Sequence, residues 1–120
     1  MPIVRVELPH GFTDEKKAQV RQAVKAAVLK TLAPKETKYD YVAIREVFGN
    51  IGDGVPVVTV DLRPGRDRER KAALARSIAE ALETAAGIAE QDVYVLFRET
   101  TAAHHYCGGK PLADWVPADQ

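Results

Sequence analysis

Residues 56–66 read PVVTVDLRPGR, and residues 2–12 read PIVRVELPHGF. At an offset of 54 positions Pro2 meets Pro56, Val4 meets Val58, Val6 meets Val60 and Leu8 meets Leu62. Glu7 meets Asp61, Gly11 meets Gly65, Glu15 meets Glu69 and Lys17 meets Lys71. Later the offset slips to 53, where YVAIRE at 41–46 answers YVLFRE at 94–99. So many ordered matches mark a tandem repeat, with units at about 2–49 and 56–109.

Each unit has the same local grammar. An opening run with β-branched residues, 2–8 or 56–62, reads as a buried strand. A glycine-containing turn follows, then Thr13 or Asp67 as a helix N-cap. The spacing predicts a first helix over 14–33, with Val20, Val24, Ala27, Val28 and Thr31 on one face. It predicts a second over 68–86, with Leu74, Ile78, Ala81, Leu82 and Ala85 on its apolar face. Gly87 can close that helix, and Pro34 stands where the first should stop. Strands at 40–47 and 92–98 complete the units, and FGNIGDGVP at 48–56 joins them.

Strand, helix and strand within one sheet form a right-handed crossover, so the two strands of a unit run parallel. The expected fold class is α+β: two tandem β-α-β units forming a four-stranded mixed sheet with two helices on one face. The uncovered sheet face is expected to be apolar, which favours an oligomer. A pseudo-two-fold axis between the halves sets the opening strands antiparallel at the centre. Pro2 then faces Arg63 and Arg66, whereas Pro56 faces Pro9 and Phe12.

That difference carries chemistry. Removal of Met1 leaves Pro2 with a free secondary amine, whereas the nitrogen of Pro56 is an amide. A terminal amine titrates at about 7.7–8.0, and burial or neighbouring positive charge lowers that value. A neutral amine of this kind can serve as a general base. Two guanidinium groups can clamp a carboxylate, and the loop carrying them leads into a helix N-terminus. The arginines are lost in the half where the amine is lost. A solvated basic loop is the alternative, since Arg68, Arg70 and Lys71 come immediately after. Arginines at a helix start also oppose the helix dipole.

The bulk properties narrow the setting. The chain has 120 residues, 46% of them hydrophobic, and 17 basic against 17 acidic side chains. One compact domain is expected, with no net field to draw nucleic acid or a membrane surface. The apolar runs are too short to span a bilayer, and no secretion signal opens the chain. The single cysteine, Cys107, excludes an internal disulfide. A cytoplasmic location is expected.

At these residues the chain resembles the tautomerase superfamily, whose members use an amino-terminal proline on a doubled β-α-β scaffold. PVVTVDLRPGRDRERK resembles the opening of the single-unit 4-oxalocrotonate tautomerase, through Pro56, Gly65, Arg66 and Lys71. YVLFRETTAAHHYCGG resembles its end, through Glu99, His104, Gly108 and Gly109. The double length and the RPGR at 63–66 are similar to the cis-3-chloroacrylic acid dehalogenase and malonate semialdehyde decarboxylase groups. The resemblance implies a single tautomerase-like domain over 1–120, no cofactor and a homotrimer. It also implies Pro2 as acid or base, with Arg63 and Arg66 as the carboxylate pair.

Departures from those groups concern substrate. Val28 stands where the dehalogenases have a histidine, Cys107 where they have a water-activating glutamate, and Leu96 where they have a tyrosine. Tyr94 lies on the same strand as Leu96. The decarboxylase aspartate falls near Thr37 and Asp40. Tyr41 and Tyr94 stand where the single-unit enzyme has its second arginine.

His104, His105 and Cys107 form a poor zinc pattern with no second cluster to close it, and a pocket-lining segment is the expected role. His10 reads as a surface residue. Arg45-Glu46 and Arg98-Glu99 read as strand-end ion pairs, and Trp115, Leu112 and Val116 as an anchor for the tail. The leading expectation is a cofactor-independent tautomerase acting on small 2-hydroxydienoate or enolpyruvate carboxylates. Its catalytic residues would be Pro2, Arg63 and Arg66, with Tyr94, Leu96, His104 and Cys107 lining the substrate. The alternatives are a decarboxylase, hydratase or dehalogenase of three-carbon acids using a protonated Pro2, and a non-catalytic binding protein on the same fold.

Overall fold

Alternation decides which side of each strand is dry. In strand β1 (Ile3–Pro9), Val4, Val6 and Leu8 are buried, and in β3 (Val57–Leu62), Val58, Val60 and Leu62 are buried. Both strands therefore present one side to a common core. Helices α1 (Asp14–Thr31) and α2 (Arg68–Ala86) cover that side, burying Val20, Val24, Ala27 and Val28 from one and Leu74, Ile78 and Leu82 from the other. These side chains form one cluster with those of the strands. Each fully buried Leu or Ile contributes about 1.5–3 kcal/mol relative to exposure.

The computed structural model describes residues 2–32, 41–49 and 56–112. Strand β2 (Tyr41–Val47) runs parallel to β1, and β4 (Tyr94–Glu99) runs parallel to β3. β1 and β3 meet antiparallel at the centre, giving the order β2-β1-β3-β4. A hairpin of β5 (Tyr106–Cys107) and β6 (Lys110–Pro111) completes the described chain. The mixed sheet and the two helices agree with the expected α+β class. Pro34, Thr37, Asp40, Trp115 and Val116, with most of the linker, lie outside the described residues.

The predicted caps form. Thr13 Oγ1 accepts from the Lys16 N–H at 3.1 Å, and Asp67 Oδ1 accepts from the Arg70 N–H at 2.8 Å. Gly87 closes α2 at φ 70°, with its N–H donating to the Glu83 carbonyl. A side chain would be strained at that backbone angle. The strand expected from 92 begins at Tyr94 because a 3-10 turn, Glu90–Asp92, occupies the residues before it.

The uncovered sheet face is not the apolar surface expected from the repeat. Its pseudo-symmetric rows read Tyr41, Ile3, Asp61, Arg98 in one direction and Tyr94, Val57, Glu7, Arg45 in the other. Arg98 grips Asp61 with two hydrogen bonds, of 2.8 and 2.9 Å, and Arg5 adds a third at 2.8 Å. Arg45 bonds Glu7 at 2.7 Å. These acids sit on the central strands, so charge occupies the middle of the face. Tyr41, Tyr94 and Leu96, all exposed, flank it on the outer strands.

Candidate active site

The antiparallel register at the centre of the sheet organises the site. Ile3 is paired with Asp61, so one further step sets Pro2 beside Leu62 and next to Arg63. Pro2 is buried, and its carbonyl accepts the Tyr41 N–H at 3.3 Å. Pro56 is also buried and its carbonyl accepts the Tyr94 N–H at 3.1 Å, so the two prolines occupy equivalent backbone positions.

The turns after the two central strands share a backbone shape but not their side chains. Gly11 and Gly65 both adopt positive φ, 117° and 127°, a conformation open to glycine. In the first half Phe12 comes after that glycine and packs against the core. In the second half Arg66 takes the position, and Arg66 and Arg63 are only 4% and 5% exposed. That burial removes the solvated-loop alternative for these two residues, although Arg68 is exposed.

The apparent conflict with the α2 dipole has a structural resolution. Arg66 Nε donates to the Leu32 carbonyl at 3.3 Å, while Arg70 donates to the Thr31 and Leu32 carbonyls, at 3.2 Å each. These are the last carbonyls of α1, where the dipole favours positive charge. The arginines begin one helix in sequence and complete the other in space. Arg70 was legible only as part of a basic run, and its signal was its position three residues beyond the Asp67 cap, in the first turn of α2.

Tyr94 and Leu96 are not gathered around Pro2 within the protomer. Tyr94 is paired with Val57, five residues from Leu62, a separation of about 17 Å along the strand. Leu96 is paired with Thr59 on the uncovered sheet face, and Val28 is a core residue. His104, in a 3-10 turn, and Cys107, in β5, are exposed. His105 connects this segment to the sheet: its Nε2 shares a 2.6 Å hydrogen bond with Thr100 Oγ1, and the Thr100 N–H donates to the Leu62 carbonyl at 3.0 Å. The hairpin is thus anchored at the end of β3, beside Arg63. Among the described residues, no group of three or more His, Cys, Asp or Glu side chains is arranged to hold a metal ion.

A groove of about 490 Å³ lies between the ends of the helices and is lined by Lys30, Thr31, Arg70, Ala73 and Ser77 among others. It includes neither Pro2 nor Arg63. Its charged lining is balanced, with Lys30, Arg70 and Arg76 against Asp67, Glu69 and Glu80. The buried Arg66 is not part of this groove's lining either.

Comparison with known proteins agrees with both the repeat and the topology. A family model described as "Tautomerase enzyme" matches residues 56–114, the half that holds the arginines. A "Probable tautomerase" of Bacillus cereus is 37% identical over 60 residues, which make up 50% of this chain and 98% of that protein. A "2-hydroxymuconate tautomerase" of Bacillus subtilis is 33% identical over 60 residues, covering 50% of this chain and 97% of that one. Among solved structures, a fused 4-OT described as a wild-type asymmetric trimer superposes with a TM-score of 0.80. It is 21% identical, and the match covers 91% of this chain and 94% of that one. Malonate semialdehyde decarboxylase gives a TM-score of 0.70 at 24% identity, covering 88% and 90%. The two short relatives match half of this chain and the fused structure nearly all of it. The chain belongs to the tautomerase enzyme family.

Proposed function

We propose that this protein is a cofactor-independent tautomerase of small 2-hydroxydienoate or enolpyruvate carboxylates, with the amine of Pro2 as general base. The observation that carries the reading is the asymmetry between equivalent turns. Two buried arginines succeed the strand that ends beside Pro2, whereas Pro9 ends, and Phe12 follows, the strand that ends beside Pro56.

The neutral amine takes a proton from the enol hydroxyl, or from the carbon next to a carbonyl. The electron pair moves through the conjugated system, and the resulting ammonium returns the proton at another carbon. Substrate and product have the same composition, so no co-reactant is needed. Arg63 and Arg66 hold the carboxylate and stabilise the dienolate-like charge as it develops. Their positive charge also disfavours the ammonium form of Pro2, which keeps the base available.

The working form in this reading is a homotrimer. Support comes from the exposed Tyr41, Tyr94 and Leu96 on the outer strands and from neighbouring folds that are described as trimers. Tyr94 and Leu96, far from Pro2 along their own sheet, line the substrate only from an adjoining copy. The exposed segment with His104 and Cys107 forms the rim of the pocket in the same assembly.

The test joins mass spectrometry to kinetics. Intact mass is expected to lack Met1, and Pro2→Ala is expected to remove most turnover of phenylenolpyruvate and 2-hydroxymuconate. Retained Met1, or full turnover by Pro2→Ala, eliminates the mechanism and favours a binding protein on this fold.

A further inference from the structure

We infer that Arg70 is a positioning residue for the substrate-binding arginine Arg66, acting through the carbonyl of Leu32. The inference rests on the site reading above and adds a residue to it. Helix α1 has no glycine at its C-cap: Leu32 holds that place in an ordinary helical conformation. Its terminal carbonyls are instead taken by guanidinium groups from the other half of the chain. Arg70 Nε donates to Thr31 and Arg70 Nη2 to Leu32, at 3.2 Å each, while Arg66 Nε donates to the same Leu32 carbonyl at 3.3 Å.

The arrangement divides the labour between the two arginines. Arg70 spans two consecutive carbonyls with the planar fork that a guanidinium provides and an ammonium does not. It thereby pins the last turn of α1 against the first turn of α2. The backbone N–H of Arg70 is itself held by Asp67, the cap of α2, at 2.8 Å, so this arginine starts from a fixed frame. Arg66 then meets an immobilised carbonyl with its Nε, which sets the plane of its guanidinium, and the carboxylate contact falls to its terminal nitrogens.

The repeat supports a role beyond helix capping. The residue equivalent to Arg70 in the first half is Lys16, and the equivalent helix end is closed by Gly87. The capping requirement can therefore be met within this fold by one glycine. Among the described residues, the arginine solution is seen at the helix end next to the buried pair.

The experiment compares Arg70→Gln, Arg66→Ala and the double variant, with Arg76→Gln, an exposed position on α2, as a surface-charge control. Arg70→Gln is expected to raise KM for phenylenolpyruvate about five- to tenfold, the scale of one poorly oriented charge-assisted hydrogen bond. Its kcat is expected to fall by less than KM rises, because substrate and transition state share the carboxylate contact and only the developing charge is felt in kcat. In the Arg66→Ala background the same change is expected to add less than about twofold, since the residue through which it acts is gone. Should Arg70→Gln not fold, Arg70→Lys takes its place, with a smaller KM effect and the same non-additivity. An unchanged KM in an Arg70 variant, or an equal effect with and without Arg66, overturns the positioning role. If wild type is inactive, or Arg66→Ala matches wild type, the site reading fails and this inference with it. If Arg66→Ala is impaired while Arg70→Gln is normal, this inference fails alone.

Discussion

Lys17 and Glu46 form a 2.7 Å ion pair between α1 and β2, and Lys71 and Glu99 repeat it between α2 and β4 at 3.5 Å. The two halves share not only strands and helices but the charge that ties each helix to its second strand. In the first half the pair is elaborated, because His10 Nδ1 also donates to Glu46 at 2.9 Å and Asp14 lies 3.3 Å from the Lys17 ammonium.

The Glu46 pair predicts an acid-sensitive component of stability. The hydrogen bond from Lys17, then that from His10, holds the Glu46 carboxyl below its ordinary range. Such a group binds protons more weakly when folded, so its contribution is fully present above the unfolded value of about 4.3 and is lost as pH falls through the lower, folded value. The Lys17 ammonium, raised chiefly by its hydrogen bond to Glu46, persists further into the alkaline range. Glu46→Gln is expected to flatten the fall of the melting temperature below about pH 4.3. Identical acid profiles for the variant and wild type would discard the linkage.

Arg63→Ala and Arg66→Ala are each expected to raise KM for carboxylate substrates by about tenfold or more, while a substrate analogue without the carboxylate is little affected. Arg66→Ala should also cost about 1 kcal/mol of stability, because Leu32 loses one of its two guanidinium donors. Kinetics with both substrates and a denaturant titration measure the two effects separately. Unchanged KM in both variants would leave the pair with a purely architectural role.

The protonation state of Pro2 separates base from acid chemistry. A base predicts a kcat/KM that rises with pH through an apparent pKa below about 7.5, and activity is lost on the acid side where the amine is protonated. An acid of the decarboxylase or hydratase type predicts activity that is retained at low pH and lost above about 8.5. The pH–rate profile of wild type, read against the nitrogen shift of a 15N-labelled Pro2, decides between them.

The middle of α2 and its C-terminal cap give stability controls away from the site. Ile78, fully buried, is expected to cost about 2–5 kcal/mol on substitution by alanine, through lost contacts and a residual cavity. Gly87→Ala is expected to cost about 1 kcal/mol although no atom lies within 4 Å of the added methyl, because φ 70° is unfavourable for any other residue. Equal stability of Gly87→Ala and wild type would mean that the cap rearranges.

The doubled strand and helix segments, the caps at Thr13, Asp67 and Gly87, and the antiparallel pairing of β1 with β3 were all legible in the chain. These features depend on periodicity and on bonds spanning a few residues, and the register then comes from pairing two like strands. Several properties were decided only by tertiary contacts. The carbonyls of Thr31 and Leu32 became the partners of Arg66 and Arg70 across more than thirty positions, turning an unfavourable helix start into a favourable helix end. The sheet face expected to be apolar acquired its Arg5, Asp61 and Arg98 cluster, since those side chains lie on three different strands. Tyr94 was carried to the far end of β4 from Pro2 by the parallel register with β3. Local bonding is written in neighbouring residues, whereas the partner of a long charged side chain depends on which distant backbone the fold brings within its reach.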